Sequence, residues 1–183
     1  RASLRTESPS LESGGITRAG MAIAKACYDT LRKYGKAAIA ACENNVVTPA
    51  LDAIIEATVY LSGVGADNVN CAAPHSFYNG VTSLGGHEAY HGNCVAFGTL
   101  IQLTLECADK AEFEDIQNFC LEVGLPITLA ELGDFTDEDL HTIAKNACVK
   151  GETIHNLAGD VTPDELYAAI IATDALGKAR LGK

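Results

Sequence analysis

The chain has 183 residues, of which 48% are apolar and 20% are charged, and its formal net charge at pH 7 is −11. This composition excludes a largely disordered chain and suffices for one domain with a sizeable core. The acidic balance argues against nucleic acids and anionic membrane surfaces as partners, because both need clustered lysine and arginine. The apolar runs, such as residues 95–105, fall short of the roughly 20 residues that span a bilayer. We therefore expect no membrane partner, and the N-terminus lacks the pattern of a secretory signal.

Seven cysteines are spread along the chain without any CxxC pair. Most of them lie in apolar helical patterns, which predicts reduced core thiols in a cytoplasmic protein. A disulfide framework or a zinc ribbon is the alternative that the cysteine count leaves open.

The first 15 residues differ in character from the rest. Residues 1–15 are rich in serine and glycine and lack hydrophobic periodicity, which predicts a flexible N-terminal remnant. Residues 16–183 are predicted to form one helical domain, since no linker divides them. The periodicity of residues 16–35 predicts a helix that ends at Gly35, and a short helix is predicted just after it.

Threonines mark the starts of the later predicted helical elements. These predicted N-caps are Thr48, Thr128, Thr136 and Thr162, with proline or acidic residues following each. The helix after Thr48 is predicted to close at the Gly63–Gly65 segment, which favours a C-cap over a phosphate-binding loop. No alternating strand longer than a few residues occurs. The sequence therefore predicts an all-α domain of about eight helices.

Three of the five histidines, His75, His87 and His91, lie within 17 residues between two apolar helical runs. Glycines at positions 80, 85, 86 and 92 are predicted to break this stretch into a loop that could hold a metal or a polar substrate. Spacing alone leaves open whether these histidines are ligands or are simply hydrogen-bonded or exposed. His141, on a predicted solvated helix face, and His155, in a predicted connecting segment, show no ligand-like spacing.

Other catalytic and binding motifs are absent from the sequence. No glycine-rich strand-to-helix motif for a dinucleotide and no P-loop occurs, so we expect no nucleotide-phosphate cradle within this chain. No nucleophile elbow supports hydrolysis. The acidic run at 137–139 is more simply a stabiliser of a helix start than a catalytic pair.

Several segments together resemble the C-terminal helical domain of the NAD-dependent glycerol dehydrogenases, which belong to the iron-containing alcohol dehydrogenase superfamily. They are SGVG (62–65), AAPHSFYNGVTSL (72–84), YHGNCVAFGTLIQL (90–103), VGLPITLAEL (123–132), GETIHN (151–156) and TPDELYAAI (162–170). The resemblance covers nearly the whole chain. It implies the C-terminal domain of the dehydroquinate synthase-like fold, which follows an NAD-binding α/β domain in full-length members.

The resemblance also implies a function. Members oxidise glycerol to dihydroxyacetone with NAD, and their helical domain holds Zn²⁺ or Fe²⁺, which lowers the pKa of the substrate hydroxyl. His75 and His91 would be two of the three protein ligands of that metal, and His87 would be a bystander. The third ligand, an aspartate, is expected upstream of Arg1. The NAD-binding residues are expected in the other domain and not in this chain.

The chain also departs from the pattern that the resemblance implies. Tyr78 stands where a second histidine is common, and Asn93-Cys94 replaces Glu-Lys after the YHG motif. These changes surround the expected substrate face, so they bear on activity more than on fold. One hypothesis is a truncated glycerol dehydrogenase-like protein, with a metal weakly held or absent and no turnover by itself. The alternative is an inactive homologue retained as a homo-oligomeric or interaction module.

Overall fold

The computed structural model describes residues 16–86 and 89–182, and in these ranges it contains eight α-helices and no strand. The helices are α1 (Arg18–Glu43), α2 (Pro49–Glu56), α3 (Ser62–Val69), α4 (Ala73–Thr82), α5 (His91–Leu105), α6 (Lys110–Glu122), α7 (Asp137–Ala147) and α8 (Pro163–Arg180). The prediction of an all-α fold is confirmed. The flexible remnant predicted at 1–15 lies outside the described residues.

The main core lies where α4, α5, α7 and α8 meet. Phe77 of α4 and Phe97 of α5 are fully buried, with ring centroids 5.8 Å apart. Ile143 of α7 and Ile170 of α8 are also fully buried and belong to the same cluster. A smaller cluster joins α5 to α6. Burial of these large side chains provides most of the driving force that holds the four helices together.

The first helix is longer than predicted. α1 continues without a break through Gly35 to Glu43, so the prediction of two helices divided at Gly35 is wrong. A Cβ atom at Gly35 would lie 3.2 Å from the Phe119 ring of α6. The glycine therefore serves close packing of α6 on α1 and not the end of a helix.

The C-cap predicted at Gly63–Gly65 is also wrong. α2 passes through a π-helical turn at Ala57–Leu61 directly into α3, and the helix ends only at Asn70, whose φ is +65°. A Cβ atom at Gly65 would come within 3.5 Å of the Ala24 backbone in α1. This segment is therefore a contact between two helices.

The threonine caps are confirmed. The side chains of Thr48, Thr136 and Thr162 each accept a hydrogen bond from the backbone N–H three residues further on. Thr128 opens a single 3₁₀ turn in which the Glu131 carboxylate accepts from the Thr128 N–H at 2.9 Å. Local cap chemistry is therefore the reason that these starts were predictable.

All seven cysteines are unbridged, which agrees with the prediction of free thiols. They are not all core residues, however. Cys27, Cys94 and Cys120 are buried, whereas Cys42 and Cys107 are exposed. Among the described residues, no helix is both long and apolar enough to cross a membrane.

Candidate metal and substrate site

Two of the predicted site residues come together at adjacent helix starts. His75 lies in the first turn of α4 and His91 is the first residue of α5. Their ring centroids are 5.3 Å apart, with the ring planes at 56°. α4 and α5 pack closely here, because a Cβ atom at Gly98 of α5 would lie only 2.7 Å from the Pro74 Cα. The close crossing therefore fixes the start of α4, and with it the backbone of His75.

The surroundings of His75 favour a neutral imidazole. Burial lowers the pKa of His75, and the neighbouring His91 lowers it further. The positive end of the helix dipole at the start of α4 acts in the same direction. A neutral imidazole keeps a lone pair for a metal ion. His91 is exposed while His75 is half-buried, so the pair has one shielded and one open member.

Tyr78 and Cys71 complete the immediate surroundings. The Tyr78 ring lies edge-on to His91, with centroids 4.4 Å apart, and so restricts the orientation of that imidazole. The Cys71 Sγ is 3.8 Å from the His75 Nε2. Burial raises the pKa of the Cys71 thiol, and Asp67 raises it further, so the thiol is neutral near pH 7.

A buried chain of hydrogen bonds holds the backbone beside His75. The Ile154 N–H donates to the Ser76 Oγ at 2.7 Å, and the Thr153 hydroxyl donates to the Ala72 carbonyl at 2.8 Å. The Ser76 and Thr153 hydroxyls are 2.9 Å apart. Because the Thr153 proton is already used, Ser76 must be the donor between them. The hydrogen-bond chain thus has one direction, from Ile154 to Ala72, and fixes the backbone on both sides of Pro74 and His75.

Two amide side chains reinforce this attachment. The Asn156 Nδ2 donates to the Cys71 carbonyl at 2.8 Å, and the Asn79 Nδ2 donates to the Glu152 Oε2 at 2.9 Å. The segment 151–156 therefore holds α4 both before and after His75. We did not predict these positioning residues from the sequence. The signal available in the sequence was the GETIHN segment, which resembles the known family although none of its residues suggested a chemical role.

The other histidines do not join the pair. His87 lies outside the described residues. His141 is exposed on α7, as predicted, and its ring stacks on Tyr167 with centroids 4.0 Å apart. His155 lies in a 3₁₀ turn at Thr153–Asn156, and its Nε2 is 3.2 Å from the Cys148 and Val149 carbonyls.

The donor chemistry fits a transition metal only in part. Imidazole nitrogens suit Zn²⁺ or Fe²⁺, and protein zinc sites have at least three protein ligands. In residues 16–86 and 89–182 no group of three or more His, Cys, Asp or Glu side chains converges as a metal site. The described residues therefore supply two donors that suit such a metal.

The sequence was compared with protein-family models and with curated proteins. No protein-family model matches the chain. It is 44% identical over 182 residues to a glycerol dehydrogenase of Pseudomonas putida, covering 97% of this chain and 50% of that protein. It is 44% identical over 168 residues to a glycolaldehyde reductase of Halobacterium salinarum, covering 90% of this chain and 46% of that protein. The chain thus spans about half the length of the curated relatives it matches.

A solved structure gives the same result. The crystal structure of a probable glycerol dehydrogenase from Sinorhizobium meliloti 1021 superposes with a TM-score of 0.90 at 37% identity, covering 98% of this chain and 51% of that one. The chain therefore has the fold of the C-terminal helical half of the iron-containing alcohol dehydrogenases. Within that class, the predicted similarity to the glycerol dehydrogenases is confirmed over nearly its whole length.

Proposed function

We propose that this chain forms the metal-binding and substrate-positioning half of a glycerol dehydrogenase, in which NAD held by another domain accepts hydride from glycerol. The convergence of His75 and His91, with ring centroids 5.3 Å apart at two helix starts, carries the proposal. Two imidazoles brought together in this way match the donors that Zn²⁺ or Fe²⁺ prefers.

Each residue of the site has a distinct part in this proposal. His75 and His91 would hold the metal, which when bound would supply Lewis-acid chemistry that lowers the pKa of a substrate hydroxyl. Burial keeps His75 neutral and able to bind a cation. Tyr78 limits rotation of the His91 ring. Ser76 anchors the start of α4 through its buried hydrogen bonds, so that His75 is presented in one position.

Two nitrogen donors do not make a complete site, so we infer that a carboxylate beyond the described residues supplies the third ligand. The two-donor chain is accordingly expected to hold its metal weakly and to have no turnover by itself. Glycerol is the proposed substrate. The relative named as a glycolaldehyde reductase supports the broader class of small hydroxylated carbon compounds.

A second candidate function rests on the segments that join the first three helices. Val47, Val59 and Tyr60 are 79%, 77% and 61% exposed. Apolar side chains so exposed favour a protein contact. They support the alternative of a homo-oligomeric or interaction module without catalysis.

A chimaera that replaces the matching half of the Pseudomonas putida relative with this chain tests the proposal. We expect glycerol-dependent reduction of NAD by the metal-loaded chimaera. His75→Ala and His91→Ala should each lower kcat/KM at least about 100-fold, since both remove a metal donor. His141→Ala is the matched control and should change it less than about twofold, because its exposed ring does not join the pair.

A folded chimaera without activity would contradict the proposal and favour the second candidate. Circular dichroism would show whether the helical half is folded. Light scattering on the chain would then test that candidate, which a clean monomer would contradict.

A further inference from the structure

A thiol lies beside the histidine pair, and its position is held by the backbone. Asn70 ends α3 with a φ of +65°, a conformation that few residues other than glycine adopt. The chain turns there, and the Asn156 Nδ2 donates to the carbonyl of the next residue, Cys71, at 2.8 Å. The backbone between α3 and α4 is therefore fixed at Cys71, four residues before His75.

The separation of the two side chains is close to that of two donors on one metal ion. The Cys71 Sγ lies 3.8 Å from the His75 Nε2. With bonds of about 2.3 Å to sulfur and about 2.0–2.1 Å to nitrogen, a tetrahedral zinc ion holds two such donors about 3.6 Å apart. The same separation also allows a weak hydrogen bond between a thiol and a neutral imidazole. The distance by itself therefore admits two roles for Cys71.

The surroundings of this thiol favour a cation. The Asp67 carboxylate acts electrostatically on Cys71, so negative charge is present next to the pair. The His91 ring lies 5.3 Å from the His75 ring and brings a second imidazole to the same place. Cys71 and His75 are both half-buried, which shields a bound ion in part from water. Sulfur and imidazole donors suit Zn²⁺ or Co²⁺, whereas Mg²⁺ and Ca²⁺ prefer oxygen.

We propose that Cys71 is a further donor to the metal ion of the proposed function, on which this inference rests. The thiol releases its proton to water, and the sulfur binds the ion beside the His75 nitrogen. In residues 16–86 and 89–182 no three such side chains converge as a finished metal site, so binding draws Cys71, His75 and His91 together by rotation of their side chains. Because zinc can expand to five ligands, a sulfur donor leaves room for a substrate oxygen.

Titration of the reduced chain with Co²⁺, which replaces Zn²⁺ and absorbs light, tests the proposal. We expect a near-ultraviolet charge-transfer band from sulfur to cobalt that grows together with the visible bands of the bound ion. Cys71→Ser and Cys71→Ala should each abolish the near-ultraviolet band and weaken Co²⁺ about tenfold, while the ion still binds through the histidines. Cys42→Ser removes an exposed thiol of α1 and is the matched control, which should change neither the band nor the affinity.

Two outcomes would overturn the proposal and leave the histidine pair as metal donors. One is Co²⁺ that binds through His75 and His91 without the near-ultraviolet band, which would make Cys71 a hydrogen-bond partner of His75 only. The other is a band that persists in folded Cys71→Ser and Cys71→Ala, as circular dichroism would show. Failure of the proposed function looks different, since Co²⁺ would then not bind, or would bind equally to His75→Ala and His91→Ala.

Discussion

At the scale of single residues, uncharged side chains hold the start of α4. Ser76 and Thr153 form a buried pair of hydroxyls between two backbone groups, and Asn156 binds the Cys71 carbonyl. Each hydrogen bond of this kind contributes modestly to the free energy of unfolding. A polar group left without a partner in the interior destabilises the fold more strongly. These residues therefore hold the start of α4 and position His75.

Substitution of Ser76 tests this positioning role. We expect Ser76→Ala to lower the free energy of unfolding by about 1–3 kcal/mol, because the Ile154 N–H loses its acceptor in the interior. Urea denaturation followed by circular dichroism measures the change. Ser62→Ala is the matched control, since that exposed hydroxyl only returns a hydrogen bond to its own helix. An equal loss in both variants would contradict the account.

The cysteines should differ in reactivity at pH 8. Burial raises the pKa of both Cys120 and Cys148 to about 11, so only on the order of 0.1% of either thiol is ionised. Cys42 and Cys107 are exposed and should be alkylated first. Timed treatment with iodoacetamide and mass spectrometry of peptides measures the order. Early modification of Cys120 in the folded protein would show that α6 opens readily.

The sequence predicted the histidine pair but not the residues that support it. His75 and His91 were singled out because they lie in motifs that resemble a known family, whereas their spacing alone left the choice open. Ser76 and Thr153 are 77 residues apart, and their contact depends on how the 3₁₀ turn after α7 packs against α4. Serine and threonine have many local uses, so neither residue alone indicated a long-range pair.

At the scale of helices, close crossings depend on glycines inside helices. A Cβ atom at Gly80 would lie 2.5 Å from the Ile143 carbonyl oxygen, and one at Gly177 would overlap the Ile127 carbonyl oxygen at 1.9 Å. These glycines allow α7 to approach α4, and the loop before the Thr128 turn to approach α8. Gly80 and Gly92 were predicted to break the histidine stretch, but they lie within α4 and α5.

The crossing of α4 and α5 can be tested with one methyl group. We expect Gly98→Ala to destabilise the protein by about 1–3 kcal/mol, because its Cβ would clash with the Pro74 backbone at 2.7 Å. Gly63→Ala is the matched control, since no atom lies within 4 Å of a Cβ there. It should stabilise the helix by about 0.5–1 kcal/mol. Thermal unfolding of both variants gives the comparison, and the same sign for both would contradict it.

The misplaced helix ends share one physical cause. Glycine after an apolar stretch is typical of a C-cap, and this rule led to the predicted ends at Gly35 and Gly63–Gly65. A glycine that faces a neighbouring helix has the same local sequence appearance. Only the three-dimensional contacts of Gly35 with Phe119 and of Gly65 with Ala24 distinguish the two cases. Helix starts were predictable because their signals are local.

At the scale of the whole molecule, the two histidines proposed as metal donors lie together at the starts of α4 and α5. Of the two, His91 is exposed, which leaves the pair open to a substrate or to another domain. The main core between α4, α5, α7 and α8 consists of apolar side chains and does not include the histidine pair. We therefore expect the fold to persist when the pair is changed, so that metal binding and folding can be measured separately.

Zinc titration of the chain by calorimetry tests the central claim most directly. We predict that the unaltered chain binds zinc weakly and that His75→Ala and His91→Ala each weaken the binding further, by at least about tenfold. His141→Ala should bind as the unaltered chain does, with all four proteins showing the same helix content by circular dichroism. Zinc affinity that stays the same in folded His75→Ala and His91→Ala would contradict the assignment of the histidine pair as metal ligands.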